Sequence, residues 1–163
     1  VVSVIRAVDV ERDNQRCAEI FAPYAEGPTA FVDRAPTSGE MRAEIVRTTA
    51  THPWFVAEDD GLVIGYAYAS PHRSRPGYRW STEVSAYVDP TRHGQGIGRS
   101  LYTTLLHELA QQGYHTALAG ITLPNGASVA LHESLGFTPV GIYHEVGWKA
   151  GAWRDVGWWE RRL

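Results

Sequence analysis

Between a strand-like run, Glu83 to Val88, and a stretch where Leu101, Leu105 and Leu109 recur at helical spacing, the chain reads Arg92-His93-Gly94-Gln95-Gly96-Ile97-Gly98-Arg99. A strand, a glycine-rich turn and an immediate amphipathic helix put unpaired backbone N–H groups at the positive end of that helix, forming an anion cradle. Glycine suits the place because an anion must approach the backbone closely and left-handed conformations are needed there, both of which a Cβ hinders. Gly113 stands where a glycine would close the helix, and Thr116 to Leu123 (TALAGITL) follows as a nearly continuous apolar strand, the type buried on both faces. A strand–helix–strand unit favours parallel pairing at that point of the sheet.

The remaining segments surround this unit. Val2 to Ala7 reads as a first strand, and about Asp13 to Tyr24 as a helix in which Ala18 or Cys17 shares a face with Phe21. Thr37-Ser38-Gly39-Glu40 has the capping-box form, with Thr37 as N-cap, and opens a helix to about Thr49. Trp54 to Glu58 and Leu62 to Ser70, separated by Asp59-Asp60-Gly61, read as an antiparallel hairpin. The segment Pro71 to Trp80 carries Arg73, Arg75 and Arg79 and reads as a loop, either merely solvated or in contact with an anionic ligand.

Alternation in the fourth strand sorts Val84, Ala86 and Val88 to one face and Glu83, Ser85 and Tyr87 to the other, so one face is core and the other can line a cavity. Late in the chain, Pro124-Asn125-Gly126 turns into a short helix through Ser134, closed by Gly136. Strands at about Pro139 to Trp148 and Ala152 to Arg161 then flank Lys149-Ala150-Gly151. The fold class is α/β (α+β) with a mixed sheet. A length of 163 residues with no internal repeat or linker suits one domain, 1–163.

Composition narrows the function. With 44% apolar and 20% charged residues the chain is globular, and a net charge of -3 without a basic tract removes the electrostatic basis for binding duplex nucleic acid. Cys17 is the single cysteine, which excludes an intrachain disulfide and a multi-cysteine zinc site and suits a reducing compartment. No apolar run approaches the roughly 20 residues of a membrane helix, and no basic-then-apolar leader opens the sequence, so neither a membrane nor a nucleic acid is expected as partner and a cytoplasmic location is.

Three explanations compete for the glycine-rich turn. A Walker loop is excluded because no Gly-Lys-Ser/Thr closes it. A dinucleotide fingerprint belongs in a first βα unit, whereas this turn follows four strands. A plain flexible turn is the third, were the segment to stand alone.

The segment does not stand alone. Glu83–Val88, the loop, the helix Arg99–Gln112, the strand Thr116–Leu123 and Asn125-Gly126-Ala127-Ser128 resemble, in order and spacing, the core of the GCN5-related N-acetyltransferase (GNAT) superfamily. Within it the chain looks most like the phosphinothricin and methionine sulfoximine acetyltransferase group. The stretches Gly96-Ile97-Gly98-Arg99-Ser100-Leu101-Tyr102, Leu123-Pro124-Asn125, Leu131-His132-Glu133-Ser134-Leu135-Gly136-Phe137 and Trp153-Arg154-Asp155-Val156-Gly157-Trp158-Trp159 carry that likeness. One position departs: the superfamily usually begins this loop with Gln or Arg, and here His93 stands there, either as a weak phosphate partner or simply exposed.

The resemblance implies the GNAT fold, one mixed, mostly antiparallel central sheet flanked by helices, and acetyl-CoA as cosubstrate with no metal. By the same likeness Ala86, Tyr87 and Val88 would offer backbone hydrogen bonds to pantetheine laid alongside like an added strand. Gly94, Gln95, Gly96, Ile97, Gly98 and Arg99 would hold the pyrophosphate, and Asn125 and Ser128 would contact the cofactor from the next turn. Glu83, a carboxylate on the cavity face, is the candidate general base, directly or through water, against the alternative of an exposed or salt-bridged carboxylate. His132 falls where many acetyltransferases carry a tyrosine near the thioester sulfur, and is assigned thiolate protonation or positioning, against a structural role.

Backbone N–H groups near Ala86 to Val88 would polarise the acetyl carbonyl. Cys17 has no motif around it, so direct transfer in a ternary complex is expected. The acceptor implied is the α-amine of a small amino-acid-like compound of the phosphinothricin, methionine sulfoximine or methionine sulfone type. Arg73 and Arg75, with Tyr78 beside them, are the candidates for binding its acidic group. Trp148, Trp153, Trp158 and Trp159 either line the acceptor pocket or pack against the last strands and a second subunit of a homodimer. Two other functions stay open: a non-catalytic acyl-CoA-binding module, and an acetyltransferase for a protein N-terminus or a polyamine.

Overall fold

The computed structural model describes residues 3–163. The elements follow in the order β1 (Val4–Ala7), α1 (Val10–Glu26), α2 (Ser38–Thr49), β2 (Trp54–Asp59), β3 (Leu62–Pro71), β4 (Ser81–Val88), α3 (Ile97–Gln111), β5 (Thr116–Leu123), α4 (Gly126–Ser134), β6 (Thr138–Lys149) and β7 (Ala152–Arg162). Seven strands form one sheet in the order β1-β2-β3-β4-β5-β7-β6, antiparallel at every junction except β4–β5. The first strand begins at Val4; Val2, where the sequence reading started it, lies outside the described residues.

Local chemistry explains most boundaries. The Asp9 carboxylate accepts from the N–H groups of Glu11 and Arg12 at 3.1 and 3.0 Å, so α1 starts at Val10, a turn earlier than the apolar spacing indicates. At α2 the capping box is complete: Glu40 N–H donates to Thr37 Oγ1 and Thr37 N–H to Glu40 Oε1, both at 3.1 Å. Asp60 and Gly61 take φ of 47° and 78°, the two left-handed residues that a two-residue hairpin between β2 and β3 requires.

Each face of the sheet has its own core. Leu101, Leu105 and Leu109 of α3 are fully buried and pack with Ala67, Val84, Ala117, Ala119 and Ile121. On the opposite face, Cys17 and Ile20 of α1 and Met41 and Ile45 of α2 pack with Trp54, Val56 and Tyr66. Burial pushes the Cys17 thiol up to about 12, which leaves it inert packing. The expectation that β5 is buried on both faces is corrected: Ala117, Ala119 and Ile121 are buried in the same core as the α3 leucines, but Gly120 on the other face is exposed. Its alanines and glycine read as apolar, although small residues equally suit the wall of a cavity.

One irregularity positions everything that follows. The parallel ladder between β4 and β5 holds only the pairs Ser81–Thr116, Thr82–Ala117 and Glu83–Leu118. Beyond Glu83 the strands part, while β4 stays paired to β3 as far as Val88 and β5 stays paired to β7 as far as Leu123. A gap therefore opens in the middle of the sheet. No helix among the described residues is long and apolar enough to cross a membrane.

Candidate functional site

The gap between β4 and β5 holds a cavity of about 520 Å³. The Asp89 N–H bonds to Ile64 O at 2.9 Å, which fixes the phase of the β3–β4 ladder. By its alternation Ala86 and Val88 turn their N–H and C=O groups into the gap, whereas Tyr87 turns its own toward β3 and lends its ring to the cavity wall. The Val88 carbonyl accepts from the Tyr24 hydroxyl at 2.6 Å. Ala86 thus offers a strand edge beside the opening.

At the far end of the cavity lies the glycine-rich turn. Gly94 and Gly96 both take φ of 77°, and a Cβ at either would meet nothing within 4 Å, so it is the left-handed backbone and not lack of room that demands glycine. Gly98 differs: its Cβ would lie 3.3 Å from Leu131 Cδ2, where α3 approaches α4. Gly96 caps α3 without a side-chain hydrogen bond, and the first turn carries no acidic residue. The first N–H groups of α3 are thus left for an external acceptor at the positive end of the helix dipole.

Side chains around the turn are held in place. Arg92 pairs with Asp59 at 2.5 Å and donates to Gln95 Oε1 at 3.2 Å, and Arg99 donates to Ser134 Oγ at 2.6 Å across to α4. Asp89 accepts from the Thr91 N–H and hydroxyl at 2.9 and 2.8 Å and pairs with Arg16. Burial would raise its carboxyl, but these hydrogen bonds outweigh that and hold it below the ordinary range. His93 is exposed, lines the cavity and lies 2.8 Å through Nε2 from the Tyr24 hydroxyl. Because that hydroxyl gives its hydrogen to Val88 O, the imidazole is the donor. Asn125 caps α4 by accepting from Ser128 N–H at 3.2 Å, and both residues line the same cavity.

His132 is 4% exposed and lines the cavity with both ring nitrogens engaged. Nδ1 lies 2.7 Å from Ser128 O, which can only accept, so Nδ1 carries the hydrogen. Burial lowers the imidazole's pKa from its ordinary value, against the raising effect of the Ser128 carbonyl, and keeps it neutral. Nε2 must then accept, and the Tyr102 hydroxyl at 3.0 Å supplies the hydrogen. Burial also drives the Tyr102 phenol well above its ordinary value, so the hydroxyl keeps its proton.

A second cavity of about 700 Å³ lies on the α1–α2 face and touches the first, with Val84, Ser85, Gly120 and Thr122 lining both. Glu83 lines it at the point where β4 and β5 part, and its Oε2 lies 2.9 Å from His72 Nδ1. The His72 ring is flanked edge-on by Tyr78 and Trp158, at centroid distances of 5.9 and 6.3 Å. Trp158 lines the cavity with its indole N–H buried and unpartnered, and Trp159 is in the core. Trp148 and Trp153 are exposed and stack edge to face at 5.3 Å.

Thus His132, Ala86, Val88, Asn125, Ser128 and the glycine turn line the first cavity, and Glu83 lines the second, which shares part of its wall. Arg73, Arg75 and Tyr78 line neither: all three are exposed and outside both cavity linings, Tyr78 reaching the site only through the His72 ring. Arg34 lines the second cavity, paired to Glu40 at 2.7 and 2.9 Å. Sequence reasoning named Tyr102 only as part of the family likeness, without a role, and missed His72, Tyr24 and Arg34. No motif marks them, and only the register of β3 against β4 would have shown His72 facing Glu83. Among the described residues no group of three or more His, Cys, Asp or Glu side chains is arranged to hold a metal ion.

Known proteins are similar to this chain in sequence and in backbone. Residues 10–137 match the Acetyltransferase (GNAT) family. The phosphinothricin N-acetyltransferase of Streptomyces coelicolor is 40% identical over 159 residues, covering 94% of this chain and 93% of that protein. The L-methionine sulfoximine/L-methionine sulfone acetyltransferase of Pseudomonas aeruginosa is 36% identical over 147 residues, covering 88% and 86%. The crystal structure of a GNAT superfamily phosphinothricin acetyltransferase from Sinorhizobium meliloti, in complex with AcCoA, superposes with a TM-score of 0.95 at 32% identity, covering 100% of this chain and 89% of that one. In sequence over most of its length and in the course of its backbone, the chain belongs to the acetyltransferase (GNAT) family.

Proposed function

We propose that the chain transfers acetyl from acetyl-CoA to the α-amine of a small amino-acid-like acceptor of the phosphinothricin, methionine sulfoximine or methionine sulfone type, directly within a ternary complex. The observation that carries this reading is the junction of two cavities at the parting of β4 and β5, with Glu83 at the junction. The first cavity fits coenzyme A. An uncapped helix N-terminus behind two left-handed glycines suits pyrophosphate, and the free edge of β4 at Ala86 suits the amide groups of pantetheine.

In this reading Gly94 to Arg99 hold the pyrophosphate through backbone N–H groups, with Arg99, Asn125 and Ser128 beside it. Acetyl-CoA supplies the thioester and leaves as the thiol. Glu83 takes the proton that the acceptor ammonium must lose, directly or through water. The Ala86 N–H polarises the acetyl oxygen. His132 positions the departing thiolate from the cavity wall, its Nε2 accepting from the Tyr102 hydroxyl and fixing the phenol beside the sulfur, and the thiolate takes the second proton that the attacking amine loses. Arg34, which lines the acceptor cavity in its pair with Glu40, faces the acceptor's acidic group, whereas Arg73 and Arg75 lie outside that lining.

We place the enzyme in the cytoplasm, in keeping with its single, buried thiol. A homodimer would cover the apolar face formed by Val140, Ile142, Val146 and Trp148 of β6 and Trp153 of β7, all about half exposed or more. The test is thiol release from acetyl-CoA against a panel of amino-acid analogues, amines and peptides. Turnover of methionine sulfone or phosphinothricin is expected, reduced about 10²–10⁴-fold in Glu83→Gln, the usual weight of a general base. Wild-type turnover in that variant refutes the base, and cofactor binding without turnover across the panel identifies a non-catalytic module instead.

A further inference from the structure

We propose that His72 is a positioning residue for Glu83, holding one carboxylate oxygen so that the other faces the acceptor amine; this rests on the reading of Glu83 as the base. Glu83 pairs with Ser70 in the β3–β4 ladder, and β3 ends at Pro71. His72 is the first residue to leave the ladder, and its ring folds back over the strand to put Nδ1 2.9 Å from Glu83 Oε2. An ionised carboxylate only accepts, so Nδ1 is the donor and the bond is charge-assisted.

The burial of the two partners fits these roles. The His72 side chain is 16% exposed, against 32% for Glu83, so the more deeply set imidazole anchors the more open carboxylate. Tyr78 and Trp158 flank the ring and limit its rotation. The bond engages Oε2 and leaves Oε1 for a proton arriving from the cavity. A glutamate turns about three side-chain bonds, and unrestrained it would spend most of its time misaligned, which catalysis at a fixed amine does not tolerate.

The experiment compares kcat and KM, with acetyl-CoA and methionine sulfone, for wild type, His72→Leu, His72→Asn, Glu83→Gln and the double variant His72→Leu/Glu83→Gln. Expected is a loss of about tenfold or more in kcat for His72→Leu with the acetyl-CoA KM within about twofold of wild type. His72→Asn, whose amide N–H can stand in for Nδ1–H, is expected to recover to within about threefold of wild type. In the Glu83→Gln background His72→Leu should cost less than about twofold, because a residue that acts through another has no independent effect.

Wild-type kcat in His72→Leu beside an impaired Glu83→Gln overturns the His72 proposal alone, as does failure of the asparagine variant at an unchanged melting temperature. The same loss repeated in the Glu83→Gln background assigns His72 a role independent of Glu83 and also overturns it. Wild-type kcat in Glu83→Gln overturns the base reading and this inference with it.

Discussion

Substituting Tyr102 by phenylalanine tests the hydrogen-bond chain in the wall of the first cavity. Tyr102 is 2% exposed and meets the His132 ring edge-on at a centroid distance of 5.0 Å, so phenylalanine keeps the packing and removes only the hydroxyl. With Nδ1–H committed to Ser128 O at 2.7 Å and the imidazole neutral, Nε2 becomes a buried acceptor without a donor. Stranding such a group costs about 1–3 kcal/mol, and for a domain of this size each kcal/mol lowers the melting temperature by about 2–4 °C. A fall of roughly 2–12 °C is therefore expected in a calorimetric scan. Tyr102→Phe/His132→Leu should lose less than the sum of the single variants, because the two side chains share one interaction.

A pH series adds an independent reading. Below the ordinary histidine value of 6.5 the unfolded chain binds a proton at position 132 that the folded chain, with its lowered value, does not. Stability from this group is thus complete above 6.5 and falls as the pH drops from there toward the folded value. His52, also lowered by burial, adds a slope of the same sign, so the quantity to measure is the difference between wild type and His132→Leu. An unchanged melting temperature in Tyr102→Phe, strict additivity in the double variant, or an identical pH slope in His132→Leu would each refute the neutral, doubly bonded histidine.

Two further outcomes follow from the geometry. Gly96→Ala places a side chain at φ of 77° in open space, so the cost is conformational strain of about 1–2 kcal/mol, read as lost stability in urea unfolding. Asp13→Asn breaks a pair with Arg6, at 2.8 and 2.9 Å, whose acidic partner is 1% exposed. Since Arg6 is 23% exposed, a loss of about 2–3 kcal/mol is expected in urea unfolding at pH 7, below the full cost of breaking a buried pair. Burial opposes ionisation of Asp13, but the Arg6 hydrogen bond, aided by that from the Asp9 N–H, prevails and holds the carboxyl below 3.8. The difference between wild type and Asp13→Asn should thus persist above pH 3.8 and shrink as the pH falls through the lower folded value.

Features written in contiguous residues were legible. The leucines of α3, the Thr37–Glu40 box, the Asp60-Gly61 turn and the glycine turn each carry their own chemistry within a few positions. The start of α1 was not, because its first turn is polar and the helix is begun by the Asp9 cap and not by apolar spacing. Within the site, the contacts that escaped sequence reasoning join partners far along the chain: His72 and Glu83 are 11 positions apart, Tyr102 and His132 30, and Tyr24 and His93 69. An intervening loop hides the register that would pair His72 with Glu83, and nothing in a helical leucine pattern shows which polar neighbour finds a histidine on another element.

The parting of β4 and β5 follows from competition for strand edges. β7 pairs with β5 at eight positions, from Thr116 to Leu123, and β3 holds β4 from Pro71–Thr82 to Gly65–Val88, so each strand is tied along its outer edge. Only three parallel pairs bind them to each other, and twist in the two halves of the sheet draws the free ends apart. The two cavities are therefore two openings of one defect, sharing Val84, Ser85 and Gly120 as common wall. Gly120 keeps that wall thin, since a Cβ there would come within 3.0 Å of the Trp158 ring that lines the second cavity. Direct transfer, as proposed above, has a nucleophile from one cavity meet a thioester in the other, and the buried Cys17, raised to about 12, offers no site for a protein-bound acyl group.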